Sequence, residues 1–273
     1  MSIRCLKYMG SKLAYTEQIN KIINQSSNRK TYVEPFMGSC AVFLNLNVEF
    51  ENYFLFDIDR HIVRIFNSLK NVDTEYLKLV YERVRADFGD IRESKESYYK
   101  FRSWVNEFYW NKDTIEEGIY LFFLYNSCIN SMARFGKNGF NQGWGNRDYS
   151  YPYIYKDIHS LVHAKLQRAT IQCANFFDLD LDDEGALYFL DPPYHYKPSY
   201  TYTGFSESDF KNYIKKIQSF IGDVVYTDTD HEELNWNKQV IRMMRTISPS
   251  KSSEHTLNEV IFFNFETKNK PLF

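Results

Sequence analysis

The chain has 273 residues, a formal net charge of −2 and 44% apolar side chains. That is long enough for one large α/β domain or a domain carrying an insertion, and apolar enough for a core, which excludes global disorder. The cysteines Cys5, Cys40, Cys128 and Cys173 are far apart and form no CxxC pair; this argues against a zinc site and for free thiols in a reducing compartment.

Met1–Gly10 is too polar for a signal peptide, and the longest apolar run, Ile119–Tyr125, is far short of a bilayer span. The expectation is a cytoplasmic protein with no membrane contact. Ser11–Asn24 reads as a helix with Ser11 as N-cap and Leu13, Ile19, Ile22 and Ile23 on one face. Thr31–Val33 reads as a strand ending at Glu34, followed by a loop with Gly38 and a short helix, Ala41–Leu46. Tyr53–Phe56 is the next strand, ending at Asp57. Further strands, Leu187–Leu190 and Val224–Tyr226, end at or near Asp191 and Asp228, with a helix over Asp209–Phe220 between them. Alternating strands and helices predict βαβ units and a mostly parallel, Rossmann-like sheet. Val240–Ile247 and Glu259–Phe265 read as an antiparallel hairpin at one edge.

The interval from Asp57 to Asp191 is much longer than a pair of βαβ units needs. The excess predicts an inserted module at 61–150, leaving 1–60 and 151–273 as the catalytic body. Thr74–Arg85, Ser94–Trp110 and Thr114–Asn126 read as helices of that insert. Arg134–Tyr149 contains four glycines and no period, the mark of a functional or disordered loop. Three stretches carry bases and no acid: Met1–Thr16, Asn126–Arg147 (with Arg134, Lys137 and Arg147) and Asn235–Ser253. They are either solvated loops or, if they meet in space, a phosphate footprint. The 18% aromatic content reads first as compositional bias, with base-stacking surfaces as the alternative.

Gly38 allows close approach of the backbone to a ligand, and Asp57 lies at the spacing where dinucleotide-type folds bind ribose hydroxyls. The full G-x-G-x-x-G is missing, so a nucleoside without phosphates fits better than NAD or FAD, and S-adenosylmethionine is the common one. In "KYMGSK" (Lys7–Lys12), Lys12 is placed to pair the cofactor carboxylate and Gly10 to let it approach, or the segment is a plain basic turn. "DPPY" follows an apolar strand. The exocyclic amine of adenine or cytosine is a poor nucleophile because its lone pair is delocalised. Acceptors aimed at its N–H groups favour tetrahedral geometry. Asp191 supplies a carboxylate, Pro192 a carbonyl held rigid by the rings, and Tyr194 a face on which an unstacked base rests.

Taken in order, these motifs resemble the DNA adenine N6-methyltransferases of the Dam type. "KYMGSK" is similar to K-[WY]-x-G-[GS]-K, "YVEPFMGSCAVFLNL" to V-E-P-F-x-G-x-G-x-V-F-L-N, and "FDID" and "LDPPY" to the acidic strand end and the catalytic motif. "RTIS" with the later "NEVIFFNF" resembles the C-terminal hairpin. The resemblance implies that Tyr8, Lys12, Gly38, Asp57, Phe176 and Asp191 contact S-adenosylmethionine, and that Asp191, Pro192 and Tyr194 hold the target adenine. It also implies that "NSMARFGKNGFN" reads duplex DNA, with Arg134 on a guanine and Asn130, Met132 and Lys137 nearby. No metal is expected, and the enzyme is expected to be a monomer or a weak dimer. Cys40 stands where the family has a second glycine, and the loop lacks the proline of R-x-N-x-x-G-x-F-N-x-P and is one residue shorter. The family's common target is GATC, and the changed loop bears on that target more than on the chemistry.

His159 and His163 are four apart, but no HExxH glutamate accompanies them, so they read as an ordinary half-exposed helix. The aromatics of Ser97–Trp110 read as module core rather than a stacking strip, and Asp228 as a strand terminator or a further ligand group. The alternative functions are an S-adenosylmethionine-dependent RNA or protein-glutamine methyltransferase, which share the [DN]PP[YFW] pattern, and a binding protein without turnover.

Overall fold

The computed structural model describes residues 2–8, 10–129, 134–145, 158–194, 206–246 and 255–266. A 3-10 turn, Lys12–Tyr15, leads into α1 (Thr16–Ile23), followed by β1 (Thr31–Glu34), α2 (Ala41–Leu44) and β2 (Asn52–Asp57). Then come α3 (Arg60–Asn71), α4 (Thr74–Phe88), α5 (Lys95–Phe108), α6 (Ile115–Ser127) and the small strands β3 (Phe135–Gly136) and β4 (Gly139–Phe140). The chain continues through α7 (Ile158–Gln167), β5 (Ala169–Cys173), β6 (Ala186–Leu190), α8 (Glu207–Gln218), β7 (Asp223–Thr229), β8 (Asn237–Thr246) and β9 (His255–Phe263).

The main sheet has seven strands in the order β5-β2-β1-β6-β7-β9-β8. β1 is parallel to β2 and β6, and β6 to β7, whereas β9 is antiparallel to β7 and β8. This is the expected mostly parallel sheet with an antiparallel C-terminal hairpin. β1 and β6 are buried at every position, as central strands covered on both faces must be.

Contacts divide the chain into two compact units. One comprises Met1–Leu13, Gly38–Asn45 and Asp57–Cys173; the other Ala14–Met37, Leu46–Phe56 and Ala174–Phe273.

In the first unit α3, α4, α5 and α6 start on side-chain caps. Asp59, Asp73, Ser94 and Thr114 accept from the backbone N–H groups of His61, Tyr76, Ser97 and Glu117. Such caps satisfy amides that the first turn leaves unpaired. A Cβ on Gly118 of α6 would lie 2.1 Å from Ser68 Oγ and 2.7 Å from the Arg64 carbonyl oxygen of α3, so only glycine permits this packing distance. Two aromatics of α5, Tyr98 and Phe101, form core with Val105 on one helix face, whereas Phe108 is 52% exposed. α7 is half-exposed, as expected: Leu161 is 55% exposed, whereas His159 lies on the buried face with Nδ1 2.8 Å from Thr74 Oγ1.

In the second unit α8 buries Phe210, Tyr213, Ile214 and Ile217 in a cluster with Val33, Tyr188 and Tyr226. The helix starts two residues before Asp209, where Ser206 and Asp209 form a capping box. Two other boundaries differ from expectation. α1 begins at Thr16, after the 3-10 turn, and the hydroxyl of Ser11, a residue of the first unit, is engaged by Ser39 Oγ at 2.8 Å and does not cap it. β7 runs one residue past Asp228 and ends at Thr229, opposite Glu259 of β9.

Candidate active site

In the first unit, two backbone N–H groups meet the Asp57 carboxylate. The Gly38 N–H donates to Asp57 Oδ2 and the Asp59 N–H to Oδ1, each at 2.9 Å. With one amide on each oxygen, the carboxylate orientation is fixed by backbone alone. Burial pushes its carboxyl up to about 6, while the bonds from Asp59 and Gly38 act in the opposite direction. Gly38 has φ +44, and a Cβ there would meet the Tyr8 ring at 3.1 Å. Glycine is therefore what lets the loop backbone approach Tyr8. Lys12 is buried and its Nζ donates to the Gly10 carbonyl at 3.2 Å.

Asp59 and Tyr125 were not singled out from the sequence. Asp59 caps α3 while its own N–H orients Asp57, and the D-x-D spacing ahead of a helix is the signal that reveals it. Tyr125 is buried in α6. Burial first, and then the negative charge of Asp59 and the nearby Tyr8, push its phenol well above the usual range.

Cys40 occupies the second-glycine position with φ +59, ψ +21, the left-handed region that side chains with a Cβ disfavour. Its thiol is buried.

The proposed reading loop is pinned to α5. The Phe140 N–H donates to Asn106 Oδ1 and Asn106 Nδ2 to the Phe140 carbonyl, both at 2.9 Å. The Tyr98 hydroxyl and the Arg102 guanidinium both donate to the Gln142 carbonyl. Phe135 stacks on His61 with ring centroids 4.3 Å apart, and His61 stacks on Trp110 at 4.5 Å. Arg134 and Lys137 are exposed at this hairpin. Asn130 and Met132 lie outside the described residues.

In the second unit, Asp191 leaves the end of β6 one position past Leu190, which is in register with Tyr226 of β7. The next β7 residue, Thr227, donates from Oγ1 to Asp191 Oδ1 at 2.8 Å. Pro192 is buried. The Tyr194 hydroxyl donates to Glu259 Oε1 on β9. Burial and the charges of Asp191 and Glu259 push the Tyr194 phenol far above its usual range, so it stays a donor. Asp228 is 1% exposed and accepts from the Tyr226 hydroxyl, the Thr229 N–H and the Thr229 hydroxyl. Burial pushes its carboxyl up to about 6 despite these donors, with Asp191 adding to the rise. Phe176 is only 3% exposed. Its ring packs on Phe36 and Tyr213, and Lys216 Nζ sits 4.9 Å above it while bonding its carbonyl. The partly exposed aromatic beside it is Phe177. Thr227 and Glu259 were missed because their importance depends on which strands become neighbours.

Among the described residues no group of three or more His, Cys, Asp or Glu side chains is arranged to hold a metal ion. Nor is any helix among them long and apolar enough to cross a membrane.

Comparison with known proteins agrees with the motif order. A DNA adenine methylase of Haemophilus influenzae is 31% identical over 211 residues, covering 75% of this chain and 68% of that protein. The Type II methyltransferase M.MjaIII of Methanocaldococcus jannaschii is 30% identical over 221 residues, 76% of this chain and 74% of that one. A DNA adenine methylase of Vibrio cholerae is 26% identical over 275 residues and 94% of each chain. Residues 8–228, which include the Tyr8 segment, the Gly38 loop and the Asp191 turn, match the family described as D12 class N6 adenine-specific DNA methyltransferase. A match of that extent makes this chain a member of the D12 class of adenine-specific DNA methyltransferases.

Proposed function

We propose that the enzyme transfers a methyl group from S-adenosylmethionine to N6 of an adenine turned out of duplex DNA. The observation that carries this reading is the Asp191 carboxylate, set just past a fully buried central strand and held by Thr227 at 2.8 Å. Asp191 accepts from one N–H of the adenine amine and the Pro192 carbonyl from the other, which draws the nitrogen toward tetrahedral geometry. Tyr194 gives the unstacked base a face. The donor's sulfonium supplies an electrophilic methyl carbon; the N6 lone pair takes it, the carbon–sulfur electron pair stays on sulfur, and the N6 proton leaves to water.

The cofactor residues in this reading are Tyr8, Lys12, Gly38, Asp57, Phe176 and Asp191. Two features support the fit to a nucleoside. Asp57 is an oriented carboxylate suited to accept from ribose hydroxyls, and Gly38 lies where a Cβ would crowd Tyr8. Residues 61–150 form the recognition insert, with Arg134, Asn130 and Met132 on bases and Lys137 on phosphate. Residues 1–60 and 151–273 form the catalytic body. The enzyme works in the cytoplasm as a monomer or weak dimer, and GATC is the first target to test.

The test is tritium transfer to duplex DNA, RNA and protein, with single-molecule reading of N6-methyladenine in DNA from cells expressing the protein. Duplex DNA is expected to be labelled at adenine within one short sequence, and Asp191→Ala to abolish labelling while retaining weakened cofactor binding. Labelling of RNA or protein in place of DNA, or full turnover by Asp191→Ala, overturns the reading.

A further inference from the structure

The Asp-Pro-Pro-Tyr turn explains how Asp191 is aimed, but not what steadies Tyr194. Two prolines stiffen the backbone before it. They fix no side-chain torsion of the tyrosine itself, and a ring that turns is a poor resting face for a base. At the ring tip the Glu259 carboxylate accepts from the Tyr194 hydroxyl. Glu259 lies on a different strand, 65 residues along the chain, in register with Thr229 of β7.

Glu259 is 5% exposed. A carboxylate buried in a sheet is costly unless donors meet it, so its presence at such a position calls for a reason. An apolar residue there would pack the same strand without that cost. The Tyr194 phenol is the complementary donor, held protonated by its burial and by the surrounding carboxylates. A hydroxyl-to-carboxylate bond is of the charge-assisted class, strong and directional.

We propose that Glu259 is a positioning residue for methyl transfer: through the Tyr194 hydroxyl it holds the Tyr194 ring in the orientation that receives the target base. This rests on the reading of Tyr194 given under Proposed function. It assigns a role to a residue outside the family match, which ends at 228.

The test compares full-length wild type, Glu259→Gln, Glu259→Leu, Tyr194→Phe and the Glu259→Leu/Tyr194→Phe double variant. Each is assayed for single-turnover methyl transfer to duplex DNA, for S-adenosylmethionine affinity, and for fluorescence of 2-aminopurine placed at the target adenine. Loss of a hydrogen bond to a charged group predicts a transfer rate about 10- to 100-fold lower in Glu259→Leu. Cofactor affinity is expected to be unchanged and the 2-aminopurine brighter, because the base rests less well on the ring. Glu259→Gln keeps an acceptor and is expected to restore transfer. Tyr194→Phe is expected to match Glu259→Leu, and the double variant to be no slower than either, since both remove the same bond. Should Glu259→Leu fail to fold, the decision falls to Tyr194→Phe and Glu259→Gln: a wild-type rate in Tyr194→Phe, or a slow, well-folded Glu259→Gln, overturns the proposal. So do multiplying losses in the double variant. A wild type that methylates no duplex DNA removes the reading of the whole site and this inference with it. An active wild type with an equally active Glu259→Leu removes this inference alone.

Discussion

Asp228→Asn tests how the buried carboxylates of this fold are tolerated. Asp228 is 1% exposed, and its carboxyl is raised from 3.8 to about 6, chiefly by burial. A group with a raised folded pKa contributes stability in its protonated form. That contribution is complete below about pH 4 and is lost as pH rises through about 6. The full span corresponds to about 3 kcal/mol at 1.36 kcal/mol per pKa unit. Between pH 4.5 and 7.5 the part lost is about 2 kcal/mol, because the unfolded carboxyl is already mostly ionised at the lower pH. Asparagine cannot ionise, so the stability of the variant relative to wild type is expected to improve by that amount over the same interval. Comparing the two pH values cancels the constant cost of re-forming the bonds from Tyr226 and Thr229 with an amide. Asp57 titrates in the same range, so the wild-type slope should halve rather than vanish, and Asp57→Asn serves as the companion. The assay is urea unfolding followed by far-UV circular dichroism at intervals across this range. A gap between variant and wild type that does not change with pH would refute the buried, late-titrating carboxylate.

Three further outcomes follow from individual contacts. Thr227→Val removes the donor 2.8 Å from Asp191 with little change of shape; transfer is expected to fall by about 10- to 100-fold with cofactor affinity unchanged, as measured by single turnover. Cys40 holds a left-handed backbone at φ +59, so Cys40→Gly is expected to be more stable than Cys40→Ala by about 1 kcal/mol in urea unfolding, the reverse of the usual order. Arg134→Ala at the exposed hairpin is expected to lose about 1–3 kcal/mol of discrimination at one guanine, read from methylation of a randomised-site library, and unchanged preference removes Arg134 from the readout.

Much of the molecule follows from local pattern. The alternation of apolar runs and helical faces specifies a mostly parallel sheet, because strands covered on both sides must be apolar throughout and helices must bury one stripe. Residues that cap helices and end strands are legible for the same reason: Ser94 and Thr114 serve amides three residues away, and Asp191 follows its strand immediately. Ser11 shows the limit. Its pattern is that of a cap, but its hydroxyl bonds Ser39, 28 residues along the chain, and the helix starts later.

What only tertiary structure decides is which side chains from separate strands come to share a site. The order β6-β7-β9 places Thr227 at Asp191 and Glu259 at Tyr194, across separations of 36 and 65 residues. The same order sets β7 between β6 and β9, and Asp228 near the end of that strand is buried. Strand order is set by how whole elements pack and cross over, a global minimisation of exposed apolar surface and unpaired backbone, and no short window of sequence contains it.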